Sequence, residues 1–173
     1  MQEEVKYYIS KIGLEMHPEG GYFKEIYRSG ENIIPENLPE RYEGGRNFST
    51  SIYFLLEGNQ KSNFHRIRSD EIWHFYDGSP VRIYIIGNNG KLEEKVIGRN
   101  FENGERFQEV IEKNSWFAAE VIDKSSFALI GCTVAPGFDF RDFELGKRED
   151  LERVYPKYSE LIRRFTYFEE VQL

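Results

Sequence analysis

The chain of 173 residues contains one cysteine, Cys132, so an internal disulfide and a thiolate metal cage are both excluded. No apolar stretch approaches the roughly 18 residues of a membrane helix, the longest being short runs such as Ile52–Leu56 and Ile83–Ile86. Basic side chains are in deficit, 23 Lys and Arg against 30 Asp and Glu, a net charge of −7. That field repels phosphate backbones and anionic lipid, so neither nucleic acid nor membrane is an expected partner. The opening Met-Gln-Glu-Glu lacks the basic and apolar blocks of a secretory signal, and a cytoplasmic protein is expected. Repeats, low-complexity tracts and linkers are absent, and residues 1–173 read as a single domain. What the sequence has in surplus is aromatics: 2 Trp, 11 Tyr and 14 Phe. Such a surplus suits a sheet protein with a bulky core, a lined cavity or a subunit contact.

The pattern along the chain predicts an all-β protein flanked by helices. Val5, Ile9 and Ile12 fall at helical spacing before the turn Pro18-Glu19-Gly20-Gly21. From Tyr22 the period changes to two, and short Ile, Val, Tyr and Phe runs alternate with turn clusters. Gly87-Asn88-Asn89-Gly90 predicts a tight hairpin, because Asn and Gly tolerate positive φ. No helices alternate with the strands between residues 22 and 143, which argues for a sandwich or barrel of antiparallel strands. The polar stretch Pro35–Gly45 reads as a loop over a cavity mouth. Beyond it, Leu151, Val154, Tyr155, Tyr158, Leu161, Ile162 and Phe165 form a helical stripe that Pro156 splits in two.

Chemistry has few candidates, since the histidines are His17, His65 and His74. With 63–67 and 71–76 read as the arms of one hairpin, His65 and Glu71 meet across it. An imidazole beside a carboxylate is a proton-transfer pair, and also a common structural one. His17, before a proline, is read as capping a turn, and Cys132 as a buried, inert thiol.

His65, Glu71 and Gly78 match in type and spacing the first motif of the cupin superfamily, although its second histidine is Ile67 here. The second cupin motif would fall near residues 112–117, which keep none of its defining residues. Further segments, His17-Pro18-Glu19-Gly20-Gly21-Tyr22, Ser69-Asp70-Glu71-Ile72-Trp73-His74 and Cys132-Thr133-Val134-Ala135-Pro136-Gly137-Phe138, resemble a small single-domain cupin family of unassigned function. The resemblance implies a double-stranded β-helix, or cupin jelly roll, with a small-molecule cavity in the barrel and a homodimeric assembly. By analogy with nucleotide-sugar epimerase cupins it implies a cofactor-free sugar or nucleotide-sugar isomerase, with His65 as base, Glu71 as its partner and Tyr53 or Tyr76 returning a proton. Trp73 and Trp116 are candidates to stack on a ligand, and Arg28 and Arg46 to bind its carboxylate or phosphate. His74 is a further ligand-binding candidate, though its parity places it on the face opposite Glu71. A non-catalytic ligand-binding cupin is one alternative. A metal-dependent, dioxygenase-like cupin is another, with a divalent metal on His65, Glu71 and a third ligand such as His74 or Glu120. Two ligands hold a transition ion weakly, so a metal-free pocket is expected.

Overall fold

The computed structural model describes residues 2–167. Helix α1 (Gln2–Ile12) leads into thirteen strands, two of which, β3 (Asn32–Ile33) and β4 (Arg46–Asn47), pair only with each other. One sheet comprises β1 (Glu15–Met16), β2 (Tyr22–Arg28), β5 (Thr50–Glu57), β12 (Phe127–Ala135), β7 (Asp70–Gly78) and β10 (Gln108–Ile111), in that spatial order. The facing sheet runs β13 (Glu144–Leu145), β6 (Ser62–Arg66), β11 (Trp116–Val121), β8 (Val81–Ile86) and β9 (Leu92–Ile97). Pairings between named strands are antiparallel throughout. The expected hairpin joins β8 to β9, and Gly90 supplies the positive φ of 72° at its turn.

Each face of the sheets is covered for a reason visible in the alternation of residues. On the outer face of the first sheet, Val5 of α1, with Ile9 and Ile12, covers Leu55, Phe127 and Leu129. On the outer face of the second, α2 (Arg148–Val154) and α3 (Ser159–Arg164) bring Leu151 and Ile162, followed by Phe165, onto Phe64, Tyr84 and Ile86. Ile162 and Phe165 are fully buried, and each such side chain contributes about 1.5–3 kcal/mol relative to exposure. The C-terminal stripe therefore serves the parent sheet, split at Pro156 as the sequence predicts, except for Val154, which is exposed.

Between the sheets, the inward positions of three neighbouring strands form rows. Leu56 with Ala128, then Phe54 with Ile130 and Phe75, are core residues. Farther along come Ile52, Cys132 and Trp73, and then Thr50, Val134 and Glu71. Rings and branched aliphatics from both sheets, among them Ile83, Ile97, Phe117 and Val121, fill the barrel at the Leu56 end. At the Thr50 end the side chains are smaller or polar, and the interior stays open.

Two sequence expectations are corrected here. Strands β6 and β7 do not form a hairpin with each other: β6 pairs with β11 and β13, whereas β7 pairs with β12 and β10. The turn between them carries the chain from one sheet to the other, a crossing that strand periodicity does not reveal. The Pro35–Gly45 loop does not cover the cavity. Tyr42 is buried instead with its hydroxyl 2.8 Å from Ser69 Oγ, and Arg41 donates to the Arg68 carbonyl at 2.8 Å.

Candidate functional site

The open end of the barrel is a cavity of about 310 Å³ whose inner wall carries His17, Glu19, His65, Glu71 and Cys132. Its rim carries Glu25, Arg28, Asp139 and a group of phenylalanines. That volume lies at the lower end of the usual range for small-molecule sites.

Glu19 organises the wall. It sits in the turn between β1 and β2, where Gly20 and Gly21 take positive φ values of 113° and 73°. A Cβ on Gly20 would lie 2.1 Å from the Lys61 carbonyl oxygen, so only glycine lets this turn dock on the chain entering β6. The dock is fixed by the Asn63 amide and side-chain nitrogens, which each donate to the Glu19 carbonyl at 2.8 Å. The Glu19 carboxylate is thereby delivered into the barrel, where Ser62 Oγ donates to Oε1 at 2.8 Å. His65 Nε2 lies 3.0 Å from Oε2, and His17 Nδ1 lies 3.3 Å from the same oxygen.

The two imidazoles differ in what remains free. His65 Nδ1 is 2.8 Å from the Asn63 carbonyl; a carbonyl only accepts, so Nδ1 carries the proton. Nε2 faces the Glu19 carboxylate at 3.0 Å. Both His65 nitrogens are therefore committed to the protein. His17 meets Glu19 through Nδ1 alone, and its Nε2 has no hydrogen-bond partner among the described residues. The Glu19 amide nitrogen also lies 3.3 Å from His17 Nδ1, a contact that would need a lone pair there. The carboxylate contact needs a proton and is the charge-assisted, stronger of the two.

Charge and burial act as follows. Burial alone would push the Glu19 carboxyl up, but His65, His17 and the Ser62 hydroxyl more than offset it and hold the group below its ordinary value. Burial would lower His17, yet the Glu19 carboxylate raises it above 6.5. His65 is lowered by its complete burial, which Glu19 only partly opposes. Glu71 is raised to about 7, first by burial and then by the nearby Glu19 charge, against smaller opposing effects of the Trp73 indole and the Cys132 thiol. The Trp73 indole nitrogen is buried and makes no well-formed hydrogen bond, so its influence on Glu71 is one of proximity. Cys132 is pushed well above 9.0, chiefly by burial and by Glu71, and carries no thiolate at neutral pH.

The Glu71 shift has a measurable consequence. A carboxyl raised from 4.5 to about 7 by folding favours the native state fully below its unfolded value, and this contribution is lost as pH rises through about 7, a change of about 3 kcal/mol. Glu71→Gln removes the titration. Urea denaturation at a series of pH values is therefore expected to show the wild type losing about 3 kcal/mol relative to Glu71→Gln across that interval. Parallel stability profiles for the two proteins would contradict it.

Of the side chains singled out in the sequence, His65, Glu71 and Arg28 line the cavity. The others stand elsewhere. Tyr53 and Tyr76 pack edge to face at 5.8 Å, with Tyr76 lying over Gly131 on the outer face of its sheet. Their parity, one residue off from Ile52 and Glu71, turns them away from the barrel. His74 is on that outer face too, 3.2 Å from Thr133 Oγ1. Trp73 points inward but belongs to the core, packed on Phe54 and Phe117. Trp116 lies under the C-terminal helices with the Arg66 guanidinium 4.5 Å from its ring. Arg46 is buried in a two-pronged pair with Asp142. Glu120 is held by Tyr84, Lys124 and Arg164, away from the cavity. His17 and Glu19 are the functional candidates that sequence reasoning missed: the His-Pro-Glu-Gly-Gly turn reads as punctuation, and the one available sign was a glycine pair flanking an acid.

The model of a family described as "Cupin superfamily (DUF985)" matches residues 6–146. The chain belongs to this cupin family. It is 32% identical over 143 residues to the uncharacterized protein YML079W of Saccharomyces cerevisiae, covering 78% of this chain and 71% of the yeast protein. Among solved structures, it is similar to protein SO0799 of Shewanella oneidensis, at 35% identity and a TM-score of 0.85, with 95% of this chain and 98% of that one covered. A hypothetical protein from Leishmania major superposes with a TM-score of 0.85 at 28% identity, covering 94% of this chain and 98% of its own. The cupin jelly roll with N-terminal and C-terminal helices is thus established.

A divalent metal is the group that the cupin fold implies for this cavity. His65 spends both nitrogens on Asn63 and Glu19, and among the described residues no group of three or more His, Cys, Asp or Glu side chains is arranged to hold a metal ion. The donor set does not fit a resident metal. No helix among the described residues is long and apolar enough to cross a membrane.

Proposed function

We propose that this cupin binds a small carbonyl compound in its barrel and moves a proton on the carbon beside the carbonyl, as an isomerase or epimerase does. The observation that carries the reading is the unengaged Nε2 of His17, on a ring whose Nδ1 is held by the Glu19 carboxylate. A carboxylate behind one imidazole nitrogen orients the ring and raises the basicity of the other. His17 takes the role that the sequence suggests for His65. His65 instead fixes the Glu19 carboxylate from its far side.

The neutral imidazole removes the proton from carbon, and the resulting imidazolium is stabilised by Glu19. Glu71, whose carboxyl retains its proton up to about pH 7, donates to the carbonyl oxygen as negative charge develops there, giving an enol. Protonation of the adjacent enol carbon by the His17 imidazolium completes isomerisation. Protonation of the original carbon by water from the opposite face, with the imidazolium neutralising the hydroxide left behind, completes epimerisation. In both, an enol hydroxyl returns its proton to Glu71 as the carbonyl re-forms. A base and an acid whose surroundings bring both near neutrality suit this chemistry.

The test is deuterium uptake from heavy water into a panel of aldoses, ketoses and their amino and phosphorylated counterparts, read by mass spectrometry. Uptake above the buffer rate in at least one compound is expected, and none across the panel would overturn the reading. The same proposal keeps the chain as a cytoplasmic homodimer, and sedimentation at the mass of one chain would refute the dimer.

A further inference from the structure

Resting on the proposed function only for the choice of cavity, the arrangement of charges at its wall and rim narrows the ligand class. Arg28 is the arginine that lines the cavity, and it is already spent. Its Nε and Nη2 donate to the two oxygens of Glu25 at 2.9 and 2.7 Å, and its Nη1 donates to Asn47 Oδ1 at 2.8 Å and the Phe138 carbonyl at 3.1 Å. A guanidinium has five N–H groups in a fixed fork, so no paired face is left for a carboxylate or phosphate. The charge that His17 carries when protonated is answered by Glu19. Deeper in, Glu71 is surrounded by Glu19, Cys132, Trp73 and the His17 ring, and the one charge that favours its carboxylate is that of a His17 already held by Glu19.

We infer that the cavity takes an uncharged or cationic ligand and rejects anionic ones, its polar end seated against Glu71 and its body among the phenylalanine rings. An uncharged carbonyl compound meets the protonated Glu71 as a hydrogen-bond donor. An ammonium meets its carboxylate, with ring faces of Phe23, Phe138 and Phe143 available for cation–π contact. An anion would lose its hydration, find no unspent arginine, meet in His17 an imidazole whose charge is already countered by Glu19, and approach two carboxyl groups. Phosphorylated and nucleotide-linked sugars are therefore outside the class.

The test uses three probes that share one six-membered ring: cyclohexanone, cyclohexylammonium and cyclohexanecarboxylate. Each is titrated into the full-length protein while the imidazole resonances of His17 and His65 are followed by NMR. The ketone and the ammonium are expected to shift these resonances, with the carboxylate binding roughly tenfold or more weakly. Glu71→Gln is expected to narrow that gap, and Arg28→Gln to leave the ranking unchanged. Carboxylate binding as tight as that of the ketone, or its selective loss in Arg28→Gln, would overturn the inference, as would silence from all three probes. The readout is binding, so a failure of deuterium uptake would count against the proposed reaction and leave this result standing.

Discussion

Replacing Arg46 by alanine is expected to lower the stability of the fold by about 3–5 kcal/mol, the cost of breaking a buried ion pair by removing one partner. Arg46 Nε and Nη2 donate to the two oxygens of Asp142 at 2.7 and 2.6 Å, with both side chains almost wholly buried. Its Nη1 donates to the carbonyls of Glu43, Gly44 and Gly45 at 3.0, 3.0 and 2.9 Å. Truncation therefore strands one buried carboxylate and three acceptors together. Arg68, with Nε 3.9 Å from Asp142 Oδ1 and partial access to solvent, can turn inward and places the result toward the lower end of the range. For a domain of this size the loss corresponds to roughly 6–20 °C in Tm. Arg46→Lys keeps the charge but not the fork, and should recover only part of it. The pair also joins the 43–45 segment to the stretch carrying Phe138, Phe140 and Phe143, so the rim of the cavity loosens with it. Thermal and urea denaturation measure the effect. A change under about 1 kcal/mol in Arg46→Ala would show that the pair contributes little beyond what water replaces.

On activity, the largest effect is expected at His17. Once a responsive compound is found, His17→Gln should reduce deuterium uptake by about 10²–10⁴-fold, the usual contribution of a positioned general base. His65→Gln should cost less, because that side chain acts through Glu19 and keeps a hydrogen-bonding partner for it. Glu19→Gln preserves shape and the Ser62 contact while removing the charge behind both imidazoles, and should approach the His17 variant in severity. The pH profile separates orientation from simple loss of fold. His17 is raised by Glu19, so the rising limb of uptake, which reports its deprotonation, should move to lower pH in Glu19→Gln. The opposite ranking, with His65→Gln the more damaging, would return the base role to His65.

Much of the fold was legible in the sequence, for identifiable reasons. Period-two patterning with Gly and Asn turns marks the β8–β9 hairpin, and the stripe through Leu151, Ile162 and Phe165 marks the helices that cover the second sheet. Motif spacing brought His65 and Glu71 to one cavity. It did so by the wrong route, since the residues between them cross from one sheet to the other, and a crossing of sheets has no local signature. Parity alone separates Tyr53, Tyr76 and His74 from the barrel interior, because each is one residue out of step with a neighbour that faces inward. Trp73 was beyond that argument: it faces inward, and only the packing of Phe54 and Phe117 around it shows that it fills the core. His17 and Glu19 depend on a contact between the β1–β2 turn and the chain entering β6, more than forty residues away for Glu19 and Ser62, and a single sequence does not encode that distance in any periodic form.

The Glu19 carboxylate grips His17 through Nδ1 and leaves Nε2 free. Nitrogen-15 NMR of the imidazoles, titrated in the wild type and in Glu19→Gln, addresses this directly in a protein with three histidines. The expected result is a proton on His17 Nδ1, a midpoint for His17 above 6.5, and a fall in that midpoint when Glu19 loses its charge. A His17 ring whose Nδ1 carries no proton, with a midpoint indifferent to the Glu19 substitution, would contradict it.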